Sequence, residues 1–194
     1  MTAERVAFVR HGEIDRSALA RFGLTFSGAR FDFLPLSPGG VRQAEHVAEA
    51  LAAFEPRLVL TSPYTRTLET AAILSRHLGC PLTVDLRLHD WLPVRDGTSA
   101  ISLAVVEARI EEYERWAAGG PLQSDRTWET ADEMRARLLS AVQAHLHLSP
   151  LVVVTHEAPI QSLIGPSDVA LGSLHHVPIA ALGLADSSLS PNWG

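Results

Sequence analysis

Three short apolar runs, Val6 to Val9, Leu58 to Leu60 and Leu151 to Val154, constrain this chain more than any other feature. None of them alternates polar with apolar residues. A strand with one wet face must alternate, so such runs read as strands covered on both faces, as in a parallel sheet between helices. Leu82 to Val84 and Ile179 to Leu184, the second containing Gly183, are weaker strand candidates. Helical patterns lie between the runs. Gly40 to Phe54 places Val41, Ala44, Val47, Ala48 and Leu51 on one stripe and stops before Glu55-Pro56. Thr65 to Leu78 aligns Leu68, Ala71, Ala72 and Leu78, with Gly79 where a C-cap is needed. Two longer patterns, Ile101 to Ala118 and Ala131 to Leu148, flank Gly119-Gly120-Pro121. This order predicts a three-layer α/β/α domain on a mostly parallel sheet. Arg16 to Pro38 shows no period and is expected to be a loop excursion, and the polar tail Asp186 to Gly194 is expected to be irregular.

At 194 residues the chain suits one domain, against roughly 150 residues for a typical one. We therefore expect a single domain over 1–194, with the paired helices of about 99–148 forming an insertion that caps the site. Cys80 is the lone cysteine, which rules out an internal disulfide or a Cys-based zinc site and favours a reducing compartment. All 16 basic residues are Arg. Without lysine there is no Schiff-base, pyridoxal-phosphate or P-loop lysine. A net charge of -6 argues against nucleic acid, whose binders carry a basic face. No apolar stretch approaches the roughly 18 residues of a membrane span. The first nine residues do not read as a signal peptide, because only four apolar residues separate Arg5 from Arg10. The expectation is a soluble cytoplasmic protein with no membrane or nucleic-acid partner.

Ligands of open α/β sheets bind beyond the carboxyl ends of the strands. Arg10-His11-Gly12-Glu13 follows the first run, Thr61-Ser62-Pro63-Tyr64-Thr65-Arg66 the second, and Thr155-His156-Glu157 the third. Two Arg and two His thus reach one edge of the sheet. Guanidiniums that bond oxygens in pairs, set beside imidazoles, suit a phosphate. Other readings of the histidines fail. His156-Glu157 cannot begin a zinc-protease HExxH helix, since Ile160 takes the second His position. His145 and His147 cannot share a helix face. His175-His176 read as loop residues, and Trp91, Trp116, Trp128 and Trp193 as core or lid packing.

These residues, together with Leu36-Ser37-Pro38-Gly39-Gly40-Val41-Arg42-Gln43-Ala44 and the continuation Thr67-Leu68-Glu69-Thr70-Ala71, resemble the histidine phosphatase superfamily in its phosphoglycerate mutase-like branch. The resemblance runs from Val6 to about Leu163 in four ordered motifs. It implies a phosphoglycerate mutase-like fold and His11 as the nucleophile that forms a phosphohistidine. To attack, His11 must be neutral, its tautomer fixed by a backbone or carboxylate acceptor. Arg10, Arg66 and His156 would hold the phosphoryl oxygens. No metal or cofactor is implied, because Arg and His supply the charge that Mg²⁺ provides elsewhere. Asp90, in Leu88-His89-Asp90-Trp91, stands where the family usually has a Glu that protonates the leaving group. It is one methylene shorter.

Other departures concern the substrate contacts, for which Glu13, Ser17 and Glu157 are the candidates. Ser17 replaces an Asn that touches phosphate in mutase-like members. Glu157 follows the second His where Gly is frequent, and it must either face away or pair with an Arg or a cationic substrate group. The function expected is a metal-independent phosphomonoester hydrolase acting on a small phosphorylated substrate. A phosphoglycerate-type mutase and a weakly active or non-catalytic phosphate-binding regulatory domain are the alternatives. The sequence leaves a homodimer open and does not name the natural substrate.

Overall fold

Residues 5–21, 28–95 and 102–184 are described by the computed structural model. The polar tail, Trp193 and Ile101 lie outside them. The apolar runs form the heart of one sheet: β1 (Arg5–Arg10), β2 (Leu58–Thr61) and β4 (Leu151–Thr155), flanked by the edge strands β3 (Leu82–Val84) and β5 (Leu174–Pro178). The spatial order is β3-β2-β4-β1-β5. All pairings are parallel except β1 with β5.

The missing alternation has the cause the sequence suggested. Every residue of β2 and β4 is buried. Within β1, Val6 and Phe8 join one core while Ala7 and Val9 join another on the opposite face. The first core is closed by Leu138, Ala141 and Val142 of α5 (Ala131–His145) and Ile160 of α6 (Glu157–Ile164). The second is closed by Val47, Ala48 and Leu51, in and just after α2 (Pro38–Ala50), and by Ala71 and Leu74 of α3 (Thr65–Leu78). Burying each Val, Leu or Phe in these layers stabilises the fold by about 1.5–3 kcal/mol relative to exposure.

Local signals set the helix ends. The Ser37 side chain accepts from the Gly40 N–H, with Pro38 at the first helical position of α2. Gly79 caps α3 at a φ of 66°. Thr130 and Glu133 form a capping box at α5. A short helix, α1 (Ala18–Arg21), and a 3₁₀ segment, Gly28–Phe33, occupy part of the expected loop excursion. Between β3 and β4 stand α4 (Leu103–Ala117) and α5. Among the described residues no helix is long and apolar enough to cross a membrane.

Three sequence expectations are corrected. Ile179 to Leu184 is not a strand: Ile179–Leu182 is a short helix, α7, with Pro178 before it and Gly183 left-handed after it. The fifth strand is Leu174–Pro178, so His175 and His176 are strand residues rather than loop residues. At the sheet edge a strand can carry polar side chains. Ser173 Oγ lies 2.8 Å from His175 Nε2, and His176 packs on Phe54 at 5.2 Å. On α3, Thr67 and Thr70 take buried positions while Ala72 is exposed. Their hydroxyls donate to the carbonyls of Ser62, Tyr64 and Arg66, which makes burial tolerable.

Candidate active site

Register places the chemistry. Arg10 pairs with Thr155 across β1 and β4, and Thr61 pairs with Val154 across β2 and β4. The residues that follow therefore leave the sheet side by side. The His11 N–H still donates to the Thr155 carbonyl, and the Ser62 N–H to the Val154 carbonyl, each at 3.1 Å. The turn after β1 then runs against the start of α2. A Cβ on Gly12 would lie 2.5 Å from the Gly40 carbonyl oxygen, and one on Gly40 would lie 2.1 Å from that of Glu13. Only paired glycines allow that approach. The Gly12 N–H donates to Thr70 Oγ1 at 3.1 Å, which pins the turn to α3.

His11 is 6% exposed. Its Nδ1 sits 2.8 Å from the Gly12 carbonyl and donates to it, so Nε2 carries the lone pair. Arg66 Nε donates to that Nε2 at 3.2 Å. Burial first, then the nearby His156 and Arg66, lower the His11 pKa to about 3. The ring is neutral at any ordinary pH. The His156 ring is centred 5.4 Å away, edge to face. It is fully buried and held neutral chiefly by that burial, then by Arg66. Its Nε2 lies 2.8 Å from Ser62 Oγ and its Nδ1 accepts from Arg66 Nη2 at 3.3 Å.

Arg66 ties the cluster together. Besides both histidines it donates to Asp90 Oδ2 at 3.1 Å and to the Phe31 carbonyl at 3.2 Å. The Tyr64 ring lies 4.8 Å from its guanidinium carbon and 5.0 Å from the His156 ring. Arg10 approaches from the other side. Its Nη1 pairs with Glu157 Oε2 at 2.8 Å and also donates to the Val169 carbonyl. Its Nε is buried without a hydrogen-bond partner. An unsatisfied cationic donor beside a neutral imidazole costs stability unless an anion completes it.

Arg10, His11, Asp90 and Glu157 line one cavity of about 550 Å³, with Arg66 and His156 buried against His11. Glu157 does not face away: it pairs with Arg10. Glu13 and Ser17 stand apart from the cavity lining. The Glu13 carboxylate accepts from Ser37 Oγ at the start of α2, and the Ser17 hydroxyl donates to Asp15, which also holds Arg21. Proximity in sequence to His11 does not bring them in: after Gly12 the backbone pairs with the segment before α2, the Ser37 N–H donating to the Glu13 carbonyl and the Asp15 N–H to the Pro35 carbonyl.

Four contributors escaped the sequence reading. Ser62 and Tyr64 sit inside a motif already singled out, yet their contacts with His156 span the fold. Asp32 is half-buried near Arg66 and Asp90, and burial pushes its carboxyl up to about 6. Arg137 of α5 donates to the carbonyls of Arg87, His89 and Asp90, and pairs with Glu129 at 2.6 Å. It thereby fixes the loop that presents Asp90. Both partners are largely buried, at 14% and 7% side-chain exposure. Arg137→Met leaves Glu129 buried and unpaired, so we expect a loss of about 3–5 kcal/mol of stability, read from urea denaturation. A change under about 1 kcal/mol, the range of exposed pairs, would show the pair to be effectively solvated.

Among the described residues no group of three or more His, Cys, Asp or Glu is arranged to hold a metal ion. Comparison with known proteins gives the fold and the family. The phosphoglycerate mutase of Thermoplasma acidophilum that depends on 2,3-bisphosphoglycerate is 26% identical over 163 residues, covering 80% of this chain and 72% of that one. A glucosyl-3-phosphoglycerate phosphatase of Mycolicibacterium vanbaalenii is 33% identical over 127 residues, covering 62% and 53%. A solved mycobacterial glucosyl-3-phosphoglycerate phosphatase complexed with VO3 shares the fold at a TM-score of 0.65 and 22% identity, over 90% of both chains. Bacillus stearothermophilus YhfR does so at 0.64 and 20%, over 89% of both. The profile of the histidine phosphatase superfamily, branch 1, matches residues 6–182, and the chain belongs to that family.

Proposed function

We propose that this protein is a phosphomonoester hydrolase that works through a phosphohistidine at His11. The observation that carries this is the neutral, buried His11, its Nδ1 committed to Gly12 and its Nε2 accepting from Arg66, in a cavity that Arg10 and Asp90 also line. The substrate phosphoryl group takes the guanidiniums of Arg10 and Arg66 from Glu157 and Asp90. His11 Nε2 attacks phosphorus, and the bond to the alcohol oxygen breaks. Asp90, released from Arg66 by the phosphoryl group, is the acid that protonates the departing alkoxide. Water then attacks phosphorus, Asp90 accepts its proton, and the N–P bond breaks to release phosphate.

The mutase relatives make return of the phosphoryl group to a bound product the second reading. Against it, Arg10 is the one guanidinium lining the cavity among the described residues, while Asp90, Glu114 and Glu157 line it too. No further guanidinium in that lining is left for a substrate carboxylate. The lone Cys80 supports a reducing, cytoplasmic setting.

Steady release of nitrophenol from p-nitrophenyl phosphate in EDTA supports hydrolysis. Vanadate binding without turnover supports a non-catalytic phosphate binder, and interconversion of phosphoglycerates stimulated by bisphosphoglycerate supports a mutase. Asp90→Asn separates the proton donor from the rest. It should slow alkyl phosphates by about 10²–10⁴-fold and barely affect p-nitrophenyl phosphate, whose leaving group needs no proton. Equal loss on both would remove Asp90 as donor and turn attention to Asp32.

A further inference from the structure

Helix α4 carries an apolar stripe that joins neither of the two sheet cores. Val106, Ile110 and Tyr113 recur at i, i+4 and i+7, the spacing of an inward face, yet no residue of α4 is buried and Ile110 is 41% exposed. These three line the cavity that also holds Arg10 and His11, together with Trp91 and Pro93 from the loop after β3. The wall is braced from behind. Tyr113 packs edge-on against Trp91 at 5.6 Å and Trp128 at 5.5 Å. Trp128 is 1% exposed and donates to Glu112, and Trp91 Nε1 donates to the Glu129 carbonyl at 2.7 Å. Apolar surface held open in this way is unfavourable in proportion to its area until something covers it.

The cavity is also larger than its phosphate. About 550 Å³ lies in the range of sites for drug-sized ligands, whereas a phosphate has the bulk of only a few waters at ~30 Å³ each. Charge limits what fills the remainder. Glu114 and Glu157 line it, and in the reading above the phosphoryl group takes Arg10 from Glu157. A second anionic group on the substrate would meet carboxylates and, among the described residues of the lining, no spare cation.

Resting on the phosphatase reading above, we propose that the alcohol part of the substrate is an uncharged apolar chain of several carbons, seated between Trp91 and the Val106–Ile110–Tyr113 stripe. Because the stripe and the nucleophile share one cavity, the occupant must reach both at once.

A series of n-alkyl phosphates from methyl to octyl tests this, because the leaving alcohols differ little in acidity. We expect kcat/KM to rise about fourfold per methylene, on the order of 10³-fold from methyl to hexyl. Ile110→Asp, on an exposed helix face, should collapse that ratio. The matching alkylphosphonates, titrated by calorimetry, read the subsite without turnover. Affinity that climbs with chain length but no hydrolysis of any ester would retain the subsite and overturn the phosphatase reading. Brisk hydrolysis with flat kcat/KM and flat affinity, or a preference for 3-phosphoglycerate or choline phosphate, would overturn the subsite alone. A dimer by sedimentation that Ile110→Asp dissociates, with a flat series, would assign the stripe to a second copy of the chain and overturn it as well.

Discussion

His11→Ala should reduce turnover of p-nitrophenyl phosphate by at least about 10⁴-fold, as loss of the nucleophile does in covalent catalysis. An acid-labile phosphoenzyme, trapped by quenching the wild type with labelled substrate, should be absent from the variant. The pH profile gives a second, independent check. With its pKa lowered to about 3, His11 becomes protonated, and so unable to attack, only near or below that pH. No acid limb from His11 should therefore appear in kcat/KM between pH 7 and 5, although an ordinary histidine titrates near 6.5. The same shift bears on folding. The unfolded chain takes up a proton at this position as pH falls through 6.5, whereas the folded chain does so only near 3. The stability linked to His11 is thus present above about 6.5 and is lost progressively as pH falls toward 3. Retention of a phosphoenzyme in His11→Ala, with activity within tenfold of wild type, would move the nucleophile elsewhere.

The features legible in sequence share one property: the interaction that fixes them is local or periodic. Val6 to Val9 and Leu151 to Val154 read as central strands because helices cover both faces, and burial on both faces removes alternation. Gly79 reads as a cap because capping depends on neighbours within a turn. The edge strand Leu174–Pro178 was illegible because its pairing to β1 is made by backbone groups, which leaves its side chains free to be histidines. Thr67 and Thr70 broke the stripe of α3 because a hydroxyl bonded to a carbonyl four or five residues back can be buried as readily as an alanine. At the site, strand ends located Arg10, His11, Arg66 and His156. They could not show that Glu157 would turn back onto Arg10, or that Arg137 on α5 would hold the Asp90 loop. Those contacts arise only when separate elements pack. Ser17 shows the converse: a residue near the nucleophile in sequence is drawn off by Asp15, two positions away.

Arg66→Ala should cost kcat about 10³–10⁵-fold, the range seen when a guanidinium that neutralises a transferring phosphoryl group is removed. One planar cation here serves His11 Nε2, His156 Nδ1, Asp90 Oδ2 and the Phe31 carbonyl. Arg66→Lys should rescue little of the loss. An ammonium is a compact charge with three donors and cannot span the directions that a guanidinium fork reaches from one buried position. Misfolding can be told apart from lost chemistry by the acid limb of kcat/KM. The positive charge of Arg66 is one of the causes that hold the His11 pKa down. Without it, His11 should protonate at a higher pH, and the acid limb should move upward from its wild-type position. Burial is the larger cause and remains, so the limb should stop short of 6.5. A variant that is merely less stable would lose amplitude at every pH and leave the limb where it was. A shifted limb with vanadate affinity also reduced would fix Arg66 as both the clamp on the phosphoryl oxygens and the group that keeps the nucleophile free of protons. An unmoved limb with undiminished vanadate binding would confine it to bracing the fold.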